Sequence, residues 1–173
     1  MSPAWQALRD RAELQDCLTR YAQGIDQRSW PLYDSAFHAG AQVEVPGYMD
    51  TGLGFVAFRE MLAGTFDELR LSGQHLLGNM HAKIHGDRAR AVTEFLATTL
   101  EEAGGSASRE VTPGLYIDDF RRQDGEWRIV RHVIVRKAAD NAALPLVSPI
   151  ADAVRATLRT DWLAGAASHS GHS

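Results

Sequence analysis

A single cysteine, Cys17, stands in the 173-residue chain, so no intrachain disulfide can form. It falls inside a helical pattern, where a thiol reads as a small apolar side chain rather than a nucleophile. No apolar run approaches the roughly 20 residues of a membrane-spanning helix, and no apolar leader with a cleavage site opens the chain. A cytoplasmic protein is expected on those grounds. Excess charge of one sign is missing too. The 18 basic and 22 acidic residues leave a formal net charge of -4, and the basic residues are scattered apart from pairs such as Arg121-Arg122 and Arg136-Lys137. Neither nucleic acid nor an anionic membrane is expected as a partner.

Several catalytic signatures are also absent. There is no phosphate loop, no Gly-x-Ser-x-Gly and no His-Glu-x-x-His. Gly52-Leu53-Gly54-Phe55-Val56-Ala57 formally matches a dinucleotide fingerprint. It follows a turn rather than a buried strand, and no βαβ unit surrounds it, so the match is rejected. No internal repeat or linker is visible.

What is present is an ordinary globular composition, 45% hydrophobic and 23% charged. The length predicts one domain, residues 1–165, and the small polar tail 166–173 is expected to be disordered. Ser2-Pro3 reads as a helix start. Leu8, Leu14, Leu18, Tyr21, Ala22 and Ile25 follow as an apolar stripe at helical spacing, ending around Gln27 to Ser29. Trp30 to Phe37 reads as a short second helix, Gly40 as a break, and Gln42 to Val45 as a short strand. Thr51 to Leu69 reads as a third helix, with Phe55, Phe58, Met61, Leu62 and Phe66 on one side.

The texture then alternates. Gln74–Ile84, Ala89–Leu100, Glu110–Arg122 and Glu126–Arg136 read as four strands. His85-Gly86-Asp87, Gly104-Gly105-Ser106 and Gln123-Asp124-Gly125 supply the turns. Short turns imply an antiparallel meander. Ser148-Pro149 would cap a last helix carrying Ile150, Val154, Leu158, Trp162 and Leu163. The expected fold is α+β, a curved, mostly antiparallel sheet wrapped as a cone around the N-terminal helices, its open mouth suited to a small molecule.

Four polar residues attract attention. Asp26 lies about 40° around an ideal helix from Ala22, at the C-terminal end, where the helix dipole disfavours a carboxylate. It needs a compensating donor or free exposure to solvent. Tyr21 lies on the stripe itself, as a satisfied core tyrosine or a functional one. His75 begins a strand whose parity it shares with Asn79, His81 and His85. A zinc site fails on distance, because His75 and His81 would stand about 20 Å apart, and His81 and His85 are expected to be exposed. His132 shares its nominal face with Val130 and Ile134, which fits a core histidine or a pocket-lining acid–base group. An acid, a phenol and an imidazole in one pocket can move protons without a cofactor.

Arg11-Ala12-Glu13-Leu14-Gln15-Asp16 leads into Tyr21-Ala22-Gln23-Gly24-Ile25-Asp26-Gln27-Arg28. Gln74-His75-Leu76-Leu77-Gly78-Asn79 and the run from Asp118 to Ile129 follow. Over residues 8–138 this resembles the SnoaL-like branch of the nuclear transport factor 2-like superfamily. The nearest pattern is that of its cofactor-free lyases: bile acid 7α-dehydratase, scytalone dehydratase and hexachlorocyclohexane dehydrochlorinase.

The resemblance implies that Asp26 and His75 form a proton-abstracting pair. Tyr21 falls where the bile acid enzyme has a tyrosine and the dehydrochlorinase a lysine, which favours hydroxyl or carbonyl chemistry. His132 replaces an arginine of the dehydrochlorinase and would protonate a leaving hydroxyl. Phe95, Tyr116 and Ile134 fall at or near pocket-lining positions. No metal or cofactor is implied. The implied activity is a dehydratase-like lyase acting on a polycyclic or terpenoid-like molecule. An isomerase or cyclase, a non-catalytic binding domain and an oxygenase small subunit are the alternatives. Assembly as a dimer or trimer through the outer sheet face is implied as well, with Trp127, Ile129 and Val133 on that face.

Overall fold

The computed structural model describes residues 2–49, 51–68, 72–103 and 106–137. The helix expected from Ser148 onward and the polar tail lie outside these residues. Helix α1 spans Pro3–Asp26. The Ser2 hydroxyl accepts the Trp5 N–H, and Pro3 takes the first helical turn, where a missing N–H breaks no bond. Leu14, Cys17, Leu18, Tyr21, Ala22 and Ile25 form its buried stripe. Leu8 does not join them and is exposed. The helix is tied to the sheet from Asp10 onward, where Arg122 pairs with Asp10 and Glu13, and Leu8 precedes that anchor.

Helix α2 covers Trp30–Ser35 and packs directly on the α1 backbone. A Cβ at Gly24 would stand 2.5 Å from the Tyr33 nitrogen, so only glycine lets the two helices approach this closely. Strand β1, Phe37–Glu44, starts five residues before the expected position. Gly40 does not interrupt it. The pairing shifts between Phe37 and Gln42, and that irregular stretch absorbs the glycine. A short strand β2, Leu53–Gly54, pairs with β1 and delays helix α3 to Phe55–Glu68. Phe55, Phe58 and Phe66 of α3 are buried, whereas Met61 is exposed.

Strands β3 (Ser72–His85), β4 (Arg88–Ala103), β5 (Ser106–Gln123) and β6 (Glu126–Arg136) form the meander. The sheet order is β2-β1-β6-β5-β4-β3, with β1 parallel to β6 and the other described pairs antiparallel. The result is the expected α+β architecture, N-terminal helices against a curved, mostly antiparallel sheet. Asp124 and Gly125 both adopt positive φ between β5 and β6, as a two-residue turn matching the sheet twist requires.

Two β-bulges correct the face assignments. Between Leu77 and Met80 the β3 register slips by one residue against β4. An extra residue reverses the inside–outside alternation. His75 and Leu77 therefore point inward, while His81 and His85 lie on the exposed side. The shared parity of His75 and His81 does not survive folding. A second bulge in β6 lies where the partners of Asp119 and Phe120 jump from Arg131 to Ile129. Trp127 and Ile129 consequently belong to the main core with Tyr21 and Phe120, not to the outer face. Val133 does lie on the other side, but buried with Leu115, Ile117 and Val135.

Candidate active site

Asp26 is the last residue of α1, and the start of β3 passes beside it. His75 engages both of its carboxylate oxygens. The backbone N–H of His75 donates to Oδ2 at 2.8 Å, and its ring Nδ1 lies 2.6 Å from Oδ1. These two bonds are the donors that a carboxylate at a helix C-terminus needs. An ionised carboxylate only accepts, so Nδ1 carries the hydrogen in this contact and a neutral imidazole keeps its lone pair on Nε2. The side chains are 14% and 17% exposed, enough to meet a ligand without losing the bond to bulk water.

Tyr21, one turn earlier, is the hub of an aromatic cluster. Its ring centroid lies 6.5 Å from that of His75, 4.5 Å from His132, 5.5 Å from Tyr116 and 5.7 Å from Tyr33. Burial pushes its hydroxyl well above the usual phenol range, with Tyr116 and Tyr33 adding to the shift. A side-chain hydrogen bond joins it to the Tyr116 hydroxyl, and burial raises Tyr116 as well. Both phenols are neutral donors at ordinary pH.

His132 is fully buried, 4.7 Å from the Tyr116 ring centroid and 6.2 Å from Phe37. Its directly opposed partner across β5–β6 is Asp118, and His132 Nδ1 lies 2.5 Å from Asp118 Oδ1. Asp118 is buried completely, and this burial raises its carboxyl above the usual range against the pull of His132. The structure thus holds a second aspartate–histidine pair, and sequence reasoning missed its acid. The signal was present. Asp118 shares strand parity with Tyr116 and Phe120, so it is a carboxylate flanked on its own face by two aromatic residues.

The expected lining residues come together. Phe95 stacks on Tyr116, with centroids 4.1 Å apart and planes at 15°. The Phe95 ring lies over Gly114, where a Cβ would stand 2.3 Å from two of its carbons. Ile134 is partly buried against the same core, opposite Tyr116 in the register. Tyr21, Asp26, His75, His132, Phe95, Tyr116 and Ile134 therefore occupy one connected region of the sheet interior. Among the described residues, no group of three or more His, Cys, Asp or Glu side chains is disposed to hold a metal ion. The groups present suit proton transfer: one solvent-reached imidazole with a free basic nitrogen, one buried imidazole, and two neutral phenols. No helix among the described residues is long and apolar enough to cross a membrane.

The chain is similar to an uncharacterized protein of Mycobacterium tuberculosis, 27% identical over 125 residues, or 72% of this chain and 83% of the relative. Three solved structures share the fold. A protein of Kribbella flavida superposes with a TM-score of 0.71 at 20% identity, covering 78% of this chain and 95% of its own. A candidate scytalone dehydratase from Novosphingobium aromaticivorans gives 0.69 at 17%, covering 84% and 95%. The hexachlorocyclohexane dehydrochlorinase LinA-type3 of Novosphingobium barchaimii gives 0.66 at 18%, covering 84% and 99%. Residues 6–133 match the SnoaL-like domain, and the chain accordingly belongs to the SnoaL-like family.

Proposed function

We propose that the protein is a cofactor-independent lyase that removes a proton from carbon next to a carbonyl and expels a β-hydroxyl as water. The observation that carries this reading is the double hydrogen bond between Asp26 and His75, which leaves one imidazole nitrogen free and basic. His75 Nε2 takes the proton, and the C–H electrons move towards the carbonyl oxygen. Tyr21, its phenol oxygen hydrogen-bonded to Tyr116, donates to the oxygen that gains charge. The electrons then return to form the C=C bond as the C–O bond breaks. The apolar lining from Phe95 and Ile134 suits a polycyclic or terpenoid-like skeleton. Two fold neighbours carry the names of elimination enzymes, a dehydratase and a dehydrochlorinase, which supports this class over a non-catalytic binding role.

General acid–base groups typically contribute about 10²–10⁴-fold each, enough for an activated substrate in a dry pocket. The test is a screen of polycyclic hydroxy-ketones for dehydration by the wild type, Asp26→Asn and His75→Ala. His75→Ala is expected to abolish turnover and Asp26→Asn to cut it by orders of magnitude. Full turnover by both variants would remove the proposed base.

A further inference from the structure

We infer that Asp118 and His132 form the acid half of the site, delivering a hydrogen from His132 Nε2 to a substrate oxygen held between β4, β5 and β6. This rests on the lyase reading above. Of the seven buried side-chain atoms without a hydrogen-bond partner among the described residues, three lie on neighbouring inward positions of β4, β5 and β6: His132 Nε2, Asp118 Oδ2 and Thr93 Oγ1. In the register, His132 faces Asp118, and Tyr116, two residues before Asp118, faces Thr93 on β4. A buried polar atom without a partner is costly, and three gathered around one tyrosine mark a place where a polar ligand atom belongs.

The protonation state follows from burial and geometry. The Asp118 and His132 side chains are 0% exposed, and a buried pair is least costly when its net charge is zero. The contact uses Nδ1. In a net-neutral pair joined there, the shared proton can sit on either partner, but Nε2 carries a hydrogen in both cases. Nε2 is therefore a donor without an acceptor, and the complementary ligand atom is an oxygen. His75 has the opposite arrangement, with partial exposure and a free lone pair. Two imidazoles of different environment, both within 6.5 Å of the Tyr21 ring centroid, divide into a base and an acid.

The elimination then balances. His75 Nε2 accepts the carbon-bound proton, the C–O bond breaks with its electron pair on oxygen, and that oxygen takes the hydrogen from His132 Nε2 and leaves as water. The proton on His75 returns to the buried pair to reset the site. Asp118 acts through His132 as a positioning residue. Asp119, next to Asp118 on β5 and paired with Arg90, adds its charge to the surroundings of the pair, and the buried titratable groups there are Cys17 and Tyr21 from α1 and Tyr116 from β5. Burial holds all three in their neutral forms through pH 9, the Cys17 thiol being pushed up to about 12.

The test has two arms. Histidine ¹⁵N NMR of the full-length protein is expected to show a hydrogen on His132 Nε2 at pH 7, with assignment by loss of the signal in His132→Gln. An unprotonated Nε2 at pH 7 overturns the inference without touching the role of His75. The second arm measures deuterium exchange at the α-carbon of 1-indanone and loss of water from 3-hydroxy-1-indanone. His132→Gln is expected to lower elimination at least 100-fold more than exchange, whereas His75→Ala lowers both together. Equal effects of His132→Gln on the two reactions overturn the acid assignment. If the wild type acts on neither indanone, the lyase reading is what fails on these probes, and the NMR arm decides the state of the pair alone.

Discussion

Asp26 Oδ2 accepts the backbone N–H of His75 at 2.8 Å while Oδ1 meets its ring nitrogen at 2.6 Å. One side chain thereby anchors the start of β3 to the end of α1 and orients the imidazole. The two partners are not equivalent in stability. Asp26→Ala strands the His75 N–H without its acceptor and is expected to cost about 1–3 kcal/mol. His75→Ala keeps that backbone bond and should cost less. Urea denaturation of both variants checks the order, and a less stable His75→Ala would show that the ring contact dominates.

The buried pair behaves differently. Asp118→Ala leaves a buried imidazole without its partner and is expected to destabilise by about 3–5 kcal/mol. Burial raises the Asp118 carboxyl in the fold. Its contribution is therefore fully present below the ordinary carboxylate value and is lost as pH rises through its raised value. The stability gap between wild type and Asp118→Asn should shift against the wild type over that rise. Thermal melts from pH 4 to 8 measure it.

Asp10 has the opposite sign. Burial opposes its ionisation, but hydrogen bonds from Arg122 and Gln6 and the Arg122 charge together hold its carboxyl below the usual range. Arg122 also lies 4.4 Å from the Trp127 ring centroid, which fixes the guanidinium. The contribution of Asp10 is present above the ordinary carboxylate value and lost as pH falls through the lowered one. Asp10→Asn should lower the urea midpoint at pH 7 and converge with wild type near pH 2. A constant gap across that range would remove the ionic explanation.

Gly114→Ala tests the lining. The added methyl would meet the Phe95 ring at 2.3 Å and the Val135 carbonyl at 2.6 Å. Overpacking of this kind costs about 1–3 kcal/mol. Because Phe95 stacks on Tyr116, the near-UV circular dichroism of the tyrosines should change along with the melting temperature.

Cys17 is fully buried, donates to the Ala36 carbonyl at 3.3 Å, and has its thiol pushed up to about 12 by burial. A thiol-specific disulfide reagent at pH 8 should label it only as fast as the chain unfolds. Rapid labelling of the native protein would contradict the packing around α1.

The elements were legible because they rest on local rules. Ser2-Pro3 caps a helix, Asp124-Gly125 turns a hairpin, and alternation marks strands wherever one face is buried. The reading of Asp26 was also local, since a carboxylate at a helix C-terminus calls for a donor. The errors of face assignment share one cause. Each bulge reverses the parity on which a face assignment depends, and no local signal placed the extra residue in β3 or β6. Trp127 and Ile129 were therefore put on the outer face, and His81, exposed as expected, was given the nominal face of His75. Asp118 went unassigned because an acid flanked by aromatic residues acquires meaning only from the residue opposite it.

The sequence by itself determined an α+β chain with a helical apolar stripe, a strand meander and a few polar residues out of place on apolar faces. Periodicity, caps and turns are properties of neighbouring residues, so they are written in the order of the chain. Only the tertiary structure decided that His75 reaches Asp26, 49 positions away, and that His132 stands opposite Asp118. Strand register and the two bulges set those pairings. The energy of the assembled sheet fixes them, and no short stretch of sequence contains it.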